Sequence, residues 1–281
     1  MDANTTNRIH MAIRGTPYRS YGGEVPERAR NLMDFLTENY GFYDVTFVTI
    51  RVYNIFLLAM DHNNRMLFIK SGRHPELYRN EYIMGRKMWE MDHEHFLEPL
   101  YYSDSGDYFF FANEIMNGDS LQRMHDSGKL QALPADKIMG LVRDLYKIFI
   151  NLKKSDVVHR DIRPDNFAVI DDRLILIDFQ LAVSKSNYRE LESMTASRLH
   201  GLGTRKYRRR TFQWDDAYSL LKCMQFIGCP APQYREEYKR MCKDIKSHIG
   251  HDVIVSSKRE HPLHRAWRHF IRLFIPKKPQ K

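Results

Sequence analysis

Three oxygen-bearing side chains, Asp161, Asn166 and Asp178, fall within one stretch, VVHRDIRPDNFAVIDDRLILIDFQLA from Val157 to Ala182. The stretch reads as a short apolar strand ending at His159, a polar loop, an apolar strand over Phe167–Ile170, a turn at Asp171-Asp172 and a third strand over Leu174–Ile177. That order puts all three side chains at one mouth. Carboxylate and amide oxygens on a rigid turn are the hard donors that Mg²⁺ accepts while keeping waters and nucleotide phosphates as its other ligands. Asn166 and Asp178 have that character. Asp161, with no metal to bind, can take or orient the proton of an attacking hydroxyl. Such a set suits phosphoryl transfer, in which a protein mainly positions reactants and neutralises dispersed negative charge. Asp and Asn also cap turns, and any one of the three could do only that; the three together point to chemistry.

The stretch resembles the protein-kinase catalytic loop H-R-D-x-x-x-x-N and the metal-binding D-F-G, here His159-Arg160-Asp161 with Asn166, and Asp178-Phe179-Gln180. Its I-x-P-D-N-F and I-D-F-x-L-A runs are most similar to casein-kinase-1-like kinases, as is the later order of Gly203-Thr204, Tyr207 and Asp215-Asp216-Ala217-Tyr218-Ser219-Leu220. The resemblance runs from about Val45 to about Gly228. It implies an α+β, bilobal protein-kinase-like fold, with a small, mostly antiparallel β N-lobe carrying one helix and a reduced, mostly helical C-lobe. The implied division is an N-terminal extension over 1–40, the N-lobe and hinge over 41–116, the C-lobe over 117–257 and a basic amphipathic segment over 258–281. ATP and Mg²⁺ are the implied cofactors. Asp161 and Arg163 become the catalytic pair, Asn166 and Asp178 the metal ligands, and Asp216 the residue that starts a long helix and braces the catalytic loop from below.

Elements upstream must bring the nucleotide to this mouth. RMLFIK, Arg65–Lys70, is an apolar strand closing on a lysine, and Pro75–Met91 is a helix with proline in its first turn. Glu81 lies on that helix. The separation of Lys70 and Glu81 suits the kinase pair in which a strand lysine holds the α- and β-phosphates and a helix glutamate orients it. A surface lysine and a helical glutamate are each commonplace alone. The run YFFFANEIMNGDSL, Tyr108–Leu121, is a buried strand entering a glycine-containing connection and a helix capped by Asp119 or Ser120. It is similar to the hinge between kinase lobes, which implies Asn113 at the back of an adenine pocket, the carbonyl of Glu114 and the backbone N–H of Met116 facing the base.

Three departures from the pattern matter. Where the family places glycines over the phosphates, this chain has Thr49-Ile50-Arg51-Val52-Tyr53-Asn54. Glycine lets backbone amides approach phosphate closely, so either Arg51 supplies cationic contact or nucleotide binding weakens. Gln180 stands where glycine follows Asp-Phe, and it is expected to restrict that turn. No A-P-E follows Gly203-Thr204; the chain continues Arg205-Lys206-Tyr207-Arg208-Arg209-Arg210, a basic cluster suited to a phosphorylated or acidic acceptor.

The 281 residues, 43% hydrophobic, suffice for one two-lobed unit. No apolar run reaches the roughly 18 residues of a membrane span, and the polar N-terminal stretch, helix-like near Pro26–Leu36, lacks the apolar core of a signal peptide. A cytoplasmic protein is expected, with Cys223, Cys229 and Cys242 as buried free thiols. The formal net charge is +9, and Lys258–Lys281 carries eight basic residues against Glu260. A helix there would group Leu263, Trp267, Phe270, Ile271 and Phe274 on one face and could lie on an anionic membrane surface, or dock that face on the protein. No nucleic-acid reader motif is present, so no nucleic-acid partner is expected. The expected partners are ATP and a hydroxyl-bearing acceptor. Reduced lower lobe, missing glycines and basic C-terminal end resemble bacterial lipopolysaccharide core kinases, which implies a sugar of an envelope glycan as acceptor. A serine/threonine protein kinase is the alternative, and a pseudokinase scaffold the second.

Overall fold

The computed structural model describes residues 24–51, 54–104, 106–115, 118–185, 213–252 and 254–255; the basic runs at 205–210 and 258–281 lie outside them, as does the side chain of Arg51. The chain is α+β and bilobal, a kinase-like arrangement of a five-stranded antiparallel sheet followed by a mostly helical region.

Helix α1, Glu27–Tyr40, leads into strands β1, Tyr43–Arg51, β2, Asn54–Met60, and β3, Met66–Gly72. Helix α2, Pro75–Met91, then precedes β4, Pro99–Ser103, and β5, Phe109–Glu114, and the sheet runs in the order β1-β2-β3-β5-β4. Strand side chains alternate between faces, which sorts the sheet. Ile55, Leu57, Ala59, Leu67, Ile69, Phe110 and Ala112 gather on one face against Ala29, Leu32 and Leu36 of α1. Those α1 positions follow an i, i+3, i+7 stripe, so the polar-looking N-terminal sequence hides a helix with a buried side. Burying each leucine there contributes about 1.5–3 kcal/mol. Phe56, Leu58, Phe68, Lys70 and Phe111 fall on the other face, where the rings of Phe56 and Phe68 stack with centroids 5.7 Å apart.

The larger region begins with β6, Asp119–Ser120, α3, Leu121–Asp126, and α4, Lys129–Ala132, and centres on α5, Ala135–Lys154. Of the two predicted caps, Ser120 is the one used: its hydroxyl accepts from Arg123 N at 3.2 Å. Strand β7, Val157–Val158, precedes the loop, and β8, Phe167–Ile170, and β9, Arg173–Leu176, form the hairpin after it. Asp171 and Asp172 both take positive φ, 48° and 63°, the turn type that matches strand twist in a two-residue hairpin. The chain then forms β10, Val183–Ser184, β11, Gln213–Trp214, α6, Asp216–Ile227, α7, Arg235–His248, and β12, Ile254–Val255. α5 and α6 meet in the core, where Leu145, Ile148, Phe149, Leu220 and Met224 are buried together. Of the three cysteines, Cys223 is buried as expected, but Cys229 is exposed and Cys242 half-buried. The correction has a simple cause, because Cys229 follows Gly228, where α6 has already ended.

Candidate active site

The segment from His159 to Asp161 is fixed from beneath. Asp215 caps α6 by accepting Tyr218 N at 3.1 Å, and Asp216, the next residue, turns inward. Its carboxylate accepts the backbone N–H groups of His159 at 2.5 Å and Arg160 at 3.0 Å. Burial pushes the Asp216 carboxyl up to about 6, against the pull of those two N–H groups. The bracing role expected of Asp216 is thus present in the geometry. His159 is locked above it. Its Nε2 lies 3.1 Å from Ile177 O, which can only accept, so the proton sits on Nε2 and Nδ1 receives Asp161 N at 3.3 Å. Arg160 takes φ 65° and Asp178 φ 70°. Positive φ in non-glycine residues costs energy and persists where surroundings over-determine it.

Two groups of side chains result. In the first, Asn166 donates from Nδ2 to Asp161 O at 2.8 Å and to Asp161 Oδ2 at 3.0 Å. Arg163 places Nε 3.7 Å from the same carboxylate oxygen and Nη1 3.5 Å from Asp165. The remaining oxygen of Asn166, Oδ1, is buried and has no hydrogen-bond partner among the described residues. In the second, Lys70 Nζ bridges Glu81 Oε1 at 2.6 Å and Asp178 Oδ1 at 3.0 Å. This joins β3, α2 and the end of the β8–β9 hairpin across the two lobes. The groups adjoin through the backbone, since Ile177 N donates to Asn166 O at 3.0 Å and Asp178 is the next residue. A buried amide oxygen left open beside a carboxylate is a donor set that fits a hard divalent cation. No cluster of three or more His, Cys, Asp or Glu side chains with metal-binding geometry occurs among the described residues.

The hinge positions are less complete. Asn113 is half-buried and its Nδ2 donates to Glu114 O at 3.0 Å, so the carbonyl expected to face a base already accepts one hydrogen bond. Ile115 N is committed to Met66 O at 2.7 Å, and Met116 lies outside the described residues. The backbone of Arg51 pairs with Asn54 at the end of the β1–β2 hairpin, the place where the resemblance expects glycines. The structure therefore assembles Lys70, Glu81 and Asp178 in one group and Asp161, Arg163 and Asn166 in another, and leaves Arg51 and Met116 without a described side-chain position.

Sequence reasoning missed two contributors. Asn80, one residue before Glu81, is buried and donates to carbonyls of the turn after Asp178. Tyr78, fully buried, donates its hydroxyl to Asn54 Oδ1 at 3.3 Å, tying α2 to the end of the hairpin above the site. A polar residue at a buried helix position was the available signal, but the helix pattern alone does not say what it touches. The turn at Gln180 takes one right-handed conformation. Positive φ falls on Asp178, while Phe179–Leu181 form a right-handed 3₁₀ turn, so position 180 needs no glycine.

No family model matches the chain. It is similar to the mitogen-activated protein kinase pmk-3 of Caenorhabditis elegans, with 29% identity over 116 residues. That stretch is 40% of this chain and spans only 23% of the length of that relative. This distant, partial likeness supports the resemblance to the protein-kinase superfamily in its coarse form. It does not reach the casein-kinase or lipopolysaccharide-kinase detail. No helix among the described residues is long and apolar enough to cross a membrane.

Proposed function

We propose that the chain is an ATP-dependent phosphotransferase that moves the γ-phosphoryl group of Mg-ATP to an acceptor hydroxyl. The single observation that carries this reading is Lys70 held between Glu81 and Asp178 across the lobes. Lys70, kept in place by Glu81, holds the α- and β-phosphates. Asn166 and Asp178 would hold Mg²⁺, which supplies charge neutralisation to the phosphates. Asp161 accepts the proton of the acceptor hydroxyl as its oxygen bonds to the γ-phosphorus and the bond to the β,γ-bridging oxygen breaks, releasing ADP. Arg163 stands beside Asp161 to balance its charge and steady the transferred group. The base would sit against Glu114 and Met116, with Arg51 supplying cationic contact from the hairpin. We take 41–116 as the small lobe with its hinge and 117–257 as the large one.

For the acceptor, the arginine-rich run at 205–210 and the basic segment at 258–281 favour a sugar of an anionic envelope glycan, met at the cytoplasmic face of a membrane. The likeness to a mitogen-activated protein kinase favours a protein serine or threonine instead. Incubation with γ-labelled Mg-ATP, core glycan and generic acidic and basic proteins separates the two. Label in glycan or protein that disappears in Asp161→Ala supports phosphotransfer. No transfer to either, with no thermal shift on adding Mg-ATP, overturns it in favour of a scaffold.

A further inference from the structure

Helix α2 faces the site with two successive residues that do different work. Glu81 reaches Lys70, and Asn80, 6% exposed, reaches the turn that follows Asp178. The Asn80 amide lies 2.6 Å from Ala182 O, 3.3 Å from Gln180 O and 3.5 Å from Phe179 O. Arg160 Nε donates to the one carbonyl between them that Asn80 does not meet, Leu181 O, at 2.7 Å. Side chains from α2 and the catalytic loop therefore engage every carbonyl from Phe179 to Ala182. An amide has two hydrogens, so the Ala182 bond is the strong one and the other two share. Buried carbonyls at the end of a short helical turn need such partners. A backbone movement of this turn away from α2 would break them together.

We propose that Asn80 is a positioning residue of the phosphoryl-transfer site: it fastens the turn after Asp178 to α2, so that Asp178 is seated before nucleotide arrives. The inference rests on the phosphotransferase reading above. It also gives a physical role to the absence of glycine at position 180, because a turn clamped in one right-handed conformation has no use for left-handed freedom.

The test is calorimetric titration of the full chain with ADP, with and without Mg²⁺. In the wild type Mg²⁺ should tighten ADP binding. In Asn80→Ala and Asn80→Asp that tightening should fall by about tenfold, the scale of loss when a charged group is slightly misplaced, while Mg²⁺-free ADP affinity stays within about twofold. A residue of merely structural role would lower both affinities in parallel, and that result, or full retention of the Mg²⁺ effect in folded variants, overturns the proposal. Hydrogen exchange on the wild type decides the case should the variants not fold. The peptide over 178–184 should be protected in the free protein and gain little on adding Mg-ADP. Fast exchange in the free protein overturns the proposal. A wild type that binds no ADP under either condition refutes the phosphotransferase reading, while the free-protein exchange still judges the clamp.

Discussion

Replacing Lys70 by methionine tests the site through its electrostatics as well as its activity. Glu81 Oε1 and Asp178 Oδ1 both hydrogen-bond one nitrogen, at 2.6 and 3.0 Å, so they can be no farther apart than those two distances laid end to end. Methionine fills the stem of the lysine but removes the cation between them. Two carboxylates about 5 Å apart repel by about 3 kcal/mol at an effective dielectric constant near 20. The variant should escape part of that repulsion by taking up a proton, which raises the folded pKa of the pair above its unfolded value. Stability from a raised pKa is present below the unfolded value and lost as pH rises through the folded one. Lys70→Met should therefore match the wild type most closely near pH 4–5 and fall behind by about 3 kcal/mol near pH 8, lowering Tm there by about 5–10 °C. Mg²⁺ should recover part of the deficit. Thermal unfolding across pH, with and without millimolar Mg²⁺, measures this directly. A deficit that is flat with pH and indifferent to Mg²⁺ would show that the two carboxylates do not converge on Lys70.

Gly118→Ala should destabilise by about 1–3 kcal/mol in urea unfolding, because a Cβ there would meet Val169 O at 2.4 Å and Ile170 Cγ1 at 2.6 Å, forcing β6 off β8. His95 is buried; burial opposes its charge, but the carboxylates of Asp144 at 3.2 Å and Asp92 at 2.7 Å hold it above its ordinary range. The stability it adds is present below about pH 6.5 and lost as pH rises through the higher folded value, so the advantage of wild type over His95→Gln should shrink between mildly acidic and alkaline pH. Asp216, pushed up to about 6 by burial, should cost the fold stability as pH rises from about 4 to 6, and Asp216→Asn should flatten that part of the pH profile while slowing transfer.

Segments with strong local punctuation were legible from sequence. Phe167–Ile170 was bounded by Pro164-Asp165 and Asp171-Asp172, and Pro75–Met91 opened on a proline that fits a helix start; both appear with those limits. The third strand was read one residue late, as Leu174–Ile177 against Arg173–Leu176. Ile177 leaves the ladder because its N–H is taken by Asn166 O, a bond no periodicity reveals. The pairing of Asn166 with Asp161 lies within one loop and was readable from it, whereas the pairing of Asp178 with Lys70 joins positions 108 apart. Asn80 was not readable, since an amide in mid-helix resembles a surface residue until the turn about a hundred positions away is folded against it. Nor was the conformation of Asp178: sequence suggests where glycine eases a turn, but not that an aspartate will take the left-handed φ and spare its neighbour.

On the phosphotransferase reading, the absence of glycines at 49–54 shifts the grip on nucleotide toward Lys70, which already holds two carboxylates. It bonds both Glu81 and Asp178, and one of these contacts would be released or shared if phosphate oxygens approached. Glu81 is the costlier to lose, because it is buried on α2 and its second oxygen has no other hydrogen-bond partner among the described residues. Asp178 is the natural one to yield, provided its charge is taken up elsewhere. Asn166 Oδ1, buried and with no hydrogen-bond partner among the described residues, is the oxygen with which it would share a divalent cation on that reading. Phosphate alone would pull Lys70 from Asp178 and leave a half-buried carboxylate uncompensated, whereas Mg²⁺ arriving with phosphate would replace the lost cation. With the turn after Asp178 clamped by Asn80 as proposed, charge balance alone gives the expected Mg²⁺ dependence of nucleotide affinity.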